Sequence, residues 1–203
     1  HCLSRGLGDV YKRQIIGDNV TSIGSESVYA FNECISLQSV TIGNSVSSIG
    51  EYAFRHTALK SVTIPDSVTS IGYRAFWQCY LLESVTIGDG VTSIGTNAFR
   101  DCDDLVSLTI GNSVTTIGAA AFFNCNNLPS VTIPNSVTII GNQAFQYCQA
   151  LLSITIPNSV TSLGAYVFEQ CIALQSVTIG DSVTSIGTQA FYFCTALQSV
   201  TIG

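Results

Sequence analysis

Seven cysteines (Cys34, Cys79, Cys102, Cys125, Cys148, Cys171 and Cys194) share one recurring position, the last six of them 23 residues apart. Thiols can bridge, hold zinc or attack as thiolates. A zinc site needs a second Cys or a His close by, and none stands beside any of these cysteines. Copies brought side by side would set the thiols close enough to bridge by distance alone. Their side chains would point the same way, however, and seven is an odd number. The reading carried forward is a stack of small buried residues with weak S–H donors. The count says little about redox compartment.

Other chemistry is thinly represented. The two histidines are His1 and His56. Serine and threonine are plentiful, but none has a base fixed beside it in sequence, so no nucleophile is assigned. Arg100-Asp101-Cys102-Asp103-Asp104 is acidic enough to suggest calcium. Its spacing fits no calcium loop, and a solvated loop is the expectation. No catalytic residue, metal ligand or cofactor is expected.

The elements that position these residues come from a repeat. Phe31, Phe54, Phe76, Phe99, Phe122, Phe145, Phe168 and Phe191 follow one another at steps of 23, 22, 23, 23, 23, 23 and 23 residues. A fixed period of this length means one short unit copied in tandem, hence a solenoid. In the copy at 82–102, Ser84-Val85-Thr86-Ile87 alternates with period two and reads as a short strand with one buried face. Gly88-Asp89 follows as a turn, replaced elsewhere by Pro65-Asp66, Pro134-Asn135 and Pro157-Asn158. Gly tolerates positive φ, Pro fixes φ, and Asn or Asp bonds back to its own backbone. Val91-Thr92-Ser93-Ile94 reads as a second extended segment, stopped by Gly95. No stretch offers a helical stripe, so little or no helix is expected. Leu82, Val85, Ile87, Val91, Ile94, Ala98, Phe99 and Cys102 should point inward. Their equivalents should form ladders about 4.8 Å apart, the spacing of paired strands. The eight phenylalanines are the structural core.

The string L-x-S-V-T-I-P/G-N/D-S-V-T-S-I-G-x-x-A-F-x-x-C resembles the BspA-type leucine-rich repeat over residues 15–203. Leu37, Leu59, Leu82, Leu105, Leu128, Leu151, Leu174 and Leu197 open the successive strands. The resemblance implies a leucine-rich-repeat right-handed arc with a parallel sheet on its concave side. It also implies an extracellular or cell-surface location and binding to host, matrix or neighbouring surface proteins. Two copies depart from the pattern. The one at Phe54-Arg55-His56-Thr57-Ala58-Leu59 is a residue short and lacks its cysteine. The one at Gly24 to Phe31 carries three extra residues around Ser25-Glu26-Ser27. Both changes fall in loops.

Composition narrows the partners. The net charge is −6. Residues 15–203 hold four basic and twelve acidic residues, which gives −8 for the array. No Lys or Arg follows Arg100. Phosphate binding needs clustered cations, so nucleic acid is not an expected partner. No apolar run approaches the ~20 residues of a membrane-spanning helix. Asn19-Val20-Thr21 is a glycosylation sequon and a weak sign of secretion. Residues 1–14 do not fit the repeat and read as a cloning scar or a disordered lead-in. The remainder reads as about eight units of a longer array, truncated at both ends.

Individuality lies in the loops around each Phe. Trp77, Tyr80, Phe123, Tyr147, Tyr192 and Phe193 follow it, and Tyr52, Tyr73 and Tyr166 precede it. On a rigid scaffold, exposed loop aromatics are candidate contacts for a protein partner. The alternative, that several tuck against the next coil, has equal weight. Each strand also offers an outward Ser and Thr. These are either β-formers with hydroxyls bonded between coils, or a lattice of about 4.8 by 6.7 Å like those of ice-binding solenoids. A curved array would lose register with a flat crystal. The expected function is a non-catalytic protein-binding scaffold. A surface spacer or stalk is the second reading, and ice or crystal-surface binding the third.

Overall fold

The computed structural model describes residues 12–25 and 29–203. Most of the segment set apart at 1–14 therefore lies outside the described residues. Its last part does not: the first strand begins at Arg13 and pairs Arg13 with Ser39.

Most coils contribute one strand of three or four residues and one of two. Numbered in chain order, the longer strands are β1 (Arg13–Ile16), β3 (Ser39–Ile42), β5 (Ser61–Ile64), β7 (Ser84–Ile87), β9 (Ser107–Thr109), β12 (Ser153–Ile156), β14 (Ser176–Ile179) and β16 (Ser199–Ile202). The shorter are β2 (Ser22–Ile23), β4 (Ser48–Ile49), β6 (Ser70–Ile71), β8 (Ser93–Ile94), β10 (Thr116–Ile117), β11 (Ile139–Ile140), β13 (Ser162–Leu163) and β15 (Ser185–Ile186). All pairs are parallel, and like lies on like: Ser61, Val62, Thr63 and Ile64 pair with Ser84, Val85, Thr86 and Ile87. The described residues contain no helix. The shortened copy keeps this register, since Ser39 still pairs with Ser61. Its missing residue is absorbed in the loop before the strand.

One continuous interior results. Phe54, Phe76, Phe99, Phe122, Phe145 and Phe168 are all 0% exposed. Their rings stack nearly parallel, from 5.0 Å between Phe76 and Phe99 to 5.7 Å between Phe145 and Phe168. Paired strands lie about 4.8 Å apart. The ring spacing is close to that distance, one ring to each coil, and the longer strands line the inner face of the expected arc.

Glycine sets how closely the coils approach. A Cβ placed on Gly118 would lie 2.7 Å from the Gly95 carbonyl carbon and 2.7 Å from the Thr96 nitrogen. Both are backbone atoms of the preceding coil and cannot rotate away. Gly118→Ala is expected to cost about 3 kcal/mol, the upper end of the range for overfilled interiors. A urea midpoint unchanged from the parent would contradict it.

The turn between the strands works differently from the sequence expectation. The Asp or Asn side chain does not bond back to its own backbone. It accepts an N–H from the next coil, as Asp66 does from Asp89 at 2.8 Å and Asp89 from Asn112 at 2.7 Å.

The inner sheet is not continuous. It divides into β1-β3-β5-β7-β9 and β12-β14-β16, with only the bridge Ser130 to Ser153 formed by the coil between them. The cause is Pro129. In the other coils the residue before the strand donates its N–H one coil back, as Lys60 does to Gln38 and Leu152 does to Pro129 itself. Pro129 has no N–H to give to Val106. Pro129→Gln, with the residue found at 38, 175 and 198, should restore that bond. The gain of about 0.5–1.5 kcal/mol is largely offset by the ~0.4–1 kcal/mol that proline contributes by restricting the unfolded chain. The expected signature is therefore slow amide exchange at residue 129 with stability nearly unchanged. Fast exchange there would refute the explanation.

Candidate interaction surface

The loop around each Phe is the third side of the coil, and it is as regular as the strands. Residues two before and two after the Phe have φ between 52° and 62°, as at Asn97 and Asp101, or Gln143 and Tyr147. Positive φ reverses the peptide direction at every second residue, so alternate N–H groups all point toward the next coil. Asn97 donates to Ala119 at 2.9 Å, Phe99 to Ala121 at 2.8 Å and Asp101 to Phe123 at 2.9 Å. Each such residue costs on the order of 1 kcal/mol when it is not glycine. The ladder bonds and the Phe stack hold them there. Among the described residues, none of the fifteen non-glycine residues with positive φ is Val, Ile or Thr, although these are common elsewhere in the chain. Branching at Cβ is what that conformation tolerates least. Their absence was the sequence signal for this ladder.

A rigid loop face of this kind fixes which side chains meet. Columns one coil apart interleave arginine with aromatic rings. The Arg55 guanidinium lies 4.8 Å from the Trp77 ring centre, Arg74 4.2 Å from Trp77 and 4.7 Å from Tyr73, and Arg100 4.0 Å from Phe123. Tyr52 packs on Tyr73 at 5.5 Å and on Tyr29 at 5.0 Å, while Arg74 donates to the Tyr52 hydroxyl at 3.1 Å. Phe123 packs edge-on to Tyr147 at 5.3 Å. Trp77 Nε1 donates to Asp101 at 3.0 Å, and Arg55 pairs with Glu33 at 2.6 Å. Arg74 has no carboxylate partner among the described residues, and its Nε is buried without an acceptor.

The eight candidate aromatics thus fall into groups. Tyr52, Tyr73 and Trp77 join Arg55 and Arg74 in one ridge, which Arg100, Phe123 and Tyr147 continue across the next coils. Tyr80 stands apart, 40% exposed, with His56 edge-on at 5.9 Å. Tyr192 is 46% exposed and pairs with Phe193 at 4.4 Å. Tyr166 is half-buried and takes no part in the ridge. Sequence reading overlooked the arginines and Tyr29. The signal was present, since residues 55, 77, 100 and 123 fall one repeat apart, as Tyr29 and Tyr52 do.

The thiol column is buried. The sulfurs of Cys79, Cys102, Cys125, Cys148, Cys171 and Cys194 each donate to the carbonyl of the preceding coil's Phe, at 3.1–3.4 Å. Thr57 fills the vacant place in the shortened copy and donates to Phe54 at 3.0 Å. Burial pushes Cys79 up to about 11 and Cys102, Cys148 and Cys171 well above the ordinary thiol value. Cys34 is the exception to the expected stack of free thiols, because it is disulfide-bonded. A thiol reagent at pH 8 should label the native array far more slowly than the unfolded one. After denaturation without reductant it should find six thiols at the positions from Cys79 to Cys194; fewer would mean bridges within the column.

On the inner face, Ser39/Thr41, Ser61/Thr63, Ser84/Thr86, Ser107/Thr109, Ser130/Thr132, Ser153/Thr155, Ser176/Thr178 and Ser199/Thr201 form no side-chain hydrogen bonds among the described residues. Most bonded hydroxyls belong to the segment after the strand, where Thr92 donates to the Thr69 carbonyl and Thr115 to that of Thr92, each at 3.0 Å.

Comparison with known proteins fits this architecture. The family model for the BspA-type leucine rich repeat region matches residues 11–129 and 115–203 in six copies. No curated protein matches the chain. A leucine-rich repeat protein from Bacteroides ovatus is 32% identical, with a TM-score of 0.83 over 93% of this chain and 48% of its own. A leucine-rich repeat protein from T. pallidum is 31% identical, with a TM-score of 0.69 over 76% of this chain and 72% of its own. A leucine rich cell surface protein from Faecalibacterium prausnitzii is 30% identical, with a TM-score of 0.59 over 94% of this chain and 59% of its own. The chain thus spans about half the length of the Bacteroides protein.

Proposed function

The chain belongs to the BspA-type leucine-rich repeat family, and from that premise we propose that it is a non-catalytic scaffold that binds a host, matrix or neighbouring cell-surface protein through its arginine–aromatic ridge. The observation that carries this reading is the ridge itself. Tyr, Trp and Arg are the residue types that dominate interface energetics. Here they stand on a backbone held rigid by three ladders, so little ordering entropy is lost on binding. Arg74 offers a guanidinium with no carboxylate of its own, ready for a carboxylate of the partner. The array gives many contacts along one stiff surface, and avidity can replace a deep pocket. Support for a surface location comes from the likeness to the Faecalibacterium protein described as a cell surface protein. No described helix is long and apolar enough to cross a membrane.

The test is surface plasmon resonance of the purified chain against a panel of extracellular-matrix and host surface proteins. Arg74→Glu should weaken binding at least about tenfold, the scale of a hot-spot charge, while circular dichroism shows the array still folded, its urea midpoint lowered modestly by the lost contacts to Trp77, Tyr73 and Tyr52. A partner held equally well by Arg74→Glu overturns the ridge as the binding surface.

The unbonded strand hydroxyls favour one alternative, binding of ice or another crystal face. Against it stand the arc and the break at Pro129, which divides the lattice into unequal parts. Thermal hysteresis measures it directly. A spacer role predicts no partner for the array at all.

A further inference from the structure

The shortened copy does more than lose a residue. Phe54 to Leu59 is one residue shorter than its equivalents, and Ala58 sits where the neighbouring coils carry two residues. The deficit opens a recess of about 140 Å³ lined by Ile35, His56, Thr57, Ala58, Tyr80 and Leu81. Its walls come from the coils on either side. Ile35 is 65% exposed, Leu81 47% and Tyr80 40%, so three large apolar side chains face solvent around one small hollow. An apolar cavity of about 150 Å³ takes up benzene, so the recess has room for one branched aliphatic side chain or a phenyl ring.

The charge beside it is negative. Tyr80 accepts the backbone N–H of Asp104 at 3.2 Å, which sets Asp103 and Asp104 on the coil next to the Tyr80 wall. Arg100 lies 3.6 Å from Asp101, and Arg55 is paired with Glu33. Neither Asp103 nor Asp104 has a cation within salt-bridge distance among the described residues. Burial, together with the charges of Asp101 and Asp104, already disfavours ionisation of Asp103, and an incoming cation would relieve that repulsion.

We propose that this recess is an anchor pocket for an apolar side chain of a protein partner, flanked in that partner by lysine or arginine that reaches Asp103 and Asp104. The proposal rests on the scaffold reading above and adds the chemistry of the partner. The pocket supplies the desolvated anchor, and the carboxylates select a basic neighbour over an acidic one.

The probe is a capped pentapeptide, Gly-Lys-Leu-Lys-Gly, titrated into the chain with methyl NMR detection. Shifts should appear at Ile35, Ala58 and Leu81 and saturate in the millimolar range expected of a single anchor, near −4 kcal/mol for 1 mM. Peptides with Ser in place of Leu, or Glu in place of both Lys, should bind at least about tenfold more weakly. Ala58→Leu fills the recess and should abolish the shifts. Should that variant fold poorly, Asp103→Asn with Asp104→Asn should remove the preference for Lys over Glu while leaving the Leu dependence. Equal binding of the Ser peptide, or shifts that persist in folded Ala58→Leu, overturns the pocket. So does an absence of shifts at these methyls. The scaffold reading is judged separately by Arg74→Glu on the ridge, so either can fail alone.

Discussion

Raising the pH from 8 to 10 is expected to cost this array several kcal/mol of stability, mainly through its buried thiols. Cys79, Cys102, Cys125, Cys148 and Cys171 are buried, and burial raises every one of these thiols above the ordinary value of 9.0. A thiol whose folded pKa lies above its unfolded one favours the folded state fully below about pH 9. As the pH climbs past that point the unfolded chain releases protons that the folded chain keeps. Each thiol then costs about 1.4 kcal/mol per pH unit. The loss continues until the folded thiols themselves ionise, which for Cys79 means about 11. Five such groups give several kcal/mol by pH 10, against a typical total of about 5–15 kcal/mol. The half-buried Cys194 adds less. Urea midpoints at pH 8, 9 and 10 measure the effect, and Cys125→Ala should reduce the slope by about one proton. A flat profile would show that the thiols are not protonated and buried as described.

Phe122→Ala should cost about 3–5 kcal/mol, the usual loss for a fully buried ring. Phe122 stacks at 5.4 Å on both Phe99 and Phe145, at interplanar angles of 3° and 11°. Removing it leaves a void open to two neighbouring coils, and the flanking rings cannot close it while the three backbone ladders fix the coil spacing. The cut falls mid-array. In a nearest-neighbour stack such a weak interface uncouples the two sides, so urea unfolding should split into two transitions. Phe191→Ala should cost clearly less, because Phe191 is partly exposed and stacks on Phe168 alone among the described rings. Equal losses at 122 and 191, or a loss under about 1 kcal/mol at 122, would contradict a shared interior.

Much of this molecule was legible as text. The 23-residue interval of the phenylalanines demands stacked copies, since one copy cannot bury its own apolar face. The alternation in Ser84-Val85-Thr86-Ile87 gave the strand and its buried side, and both are found in the burial pattern of β7. The shared position of the cysteines pointed to a column, and six of them form it. Cys34 is buried at the same repeat position but is disulfide-bonded, and nothing in its local sequence distinguishes it from Cys102. Pro129 was readable in principle, because a residue without an N–H cannot join a ladder, yet its effect is visible only once Val106 is known to lie opposite.

The functional surfaces were less accessible. Sequence named the loop aromatics but could not divide the ridge of Tyr52, Tyr73 and Trp77 from the isolated Tyr192 and Phe193. That division depends on side-chain directions set by paired residues of positive φ, which no single residue type announces. The one-residue deficit at Ala58 was plain in the alignment of copies. That it opens a hollow between Ile35 and Leu81 was not, because those walls stand 46 residues apart in the chain. Periodicity therefore determined the interior of this protein, where every copy repeats the same contact and the period is the structure. Only the stacked coordinates decided the surface, where neighbouring copies differ and each contact joins residues a whole coil apart.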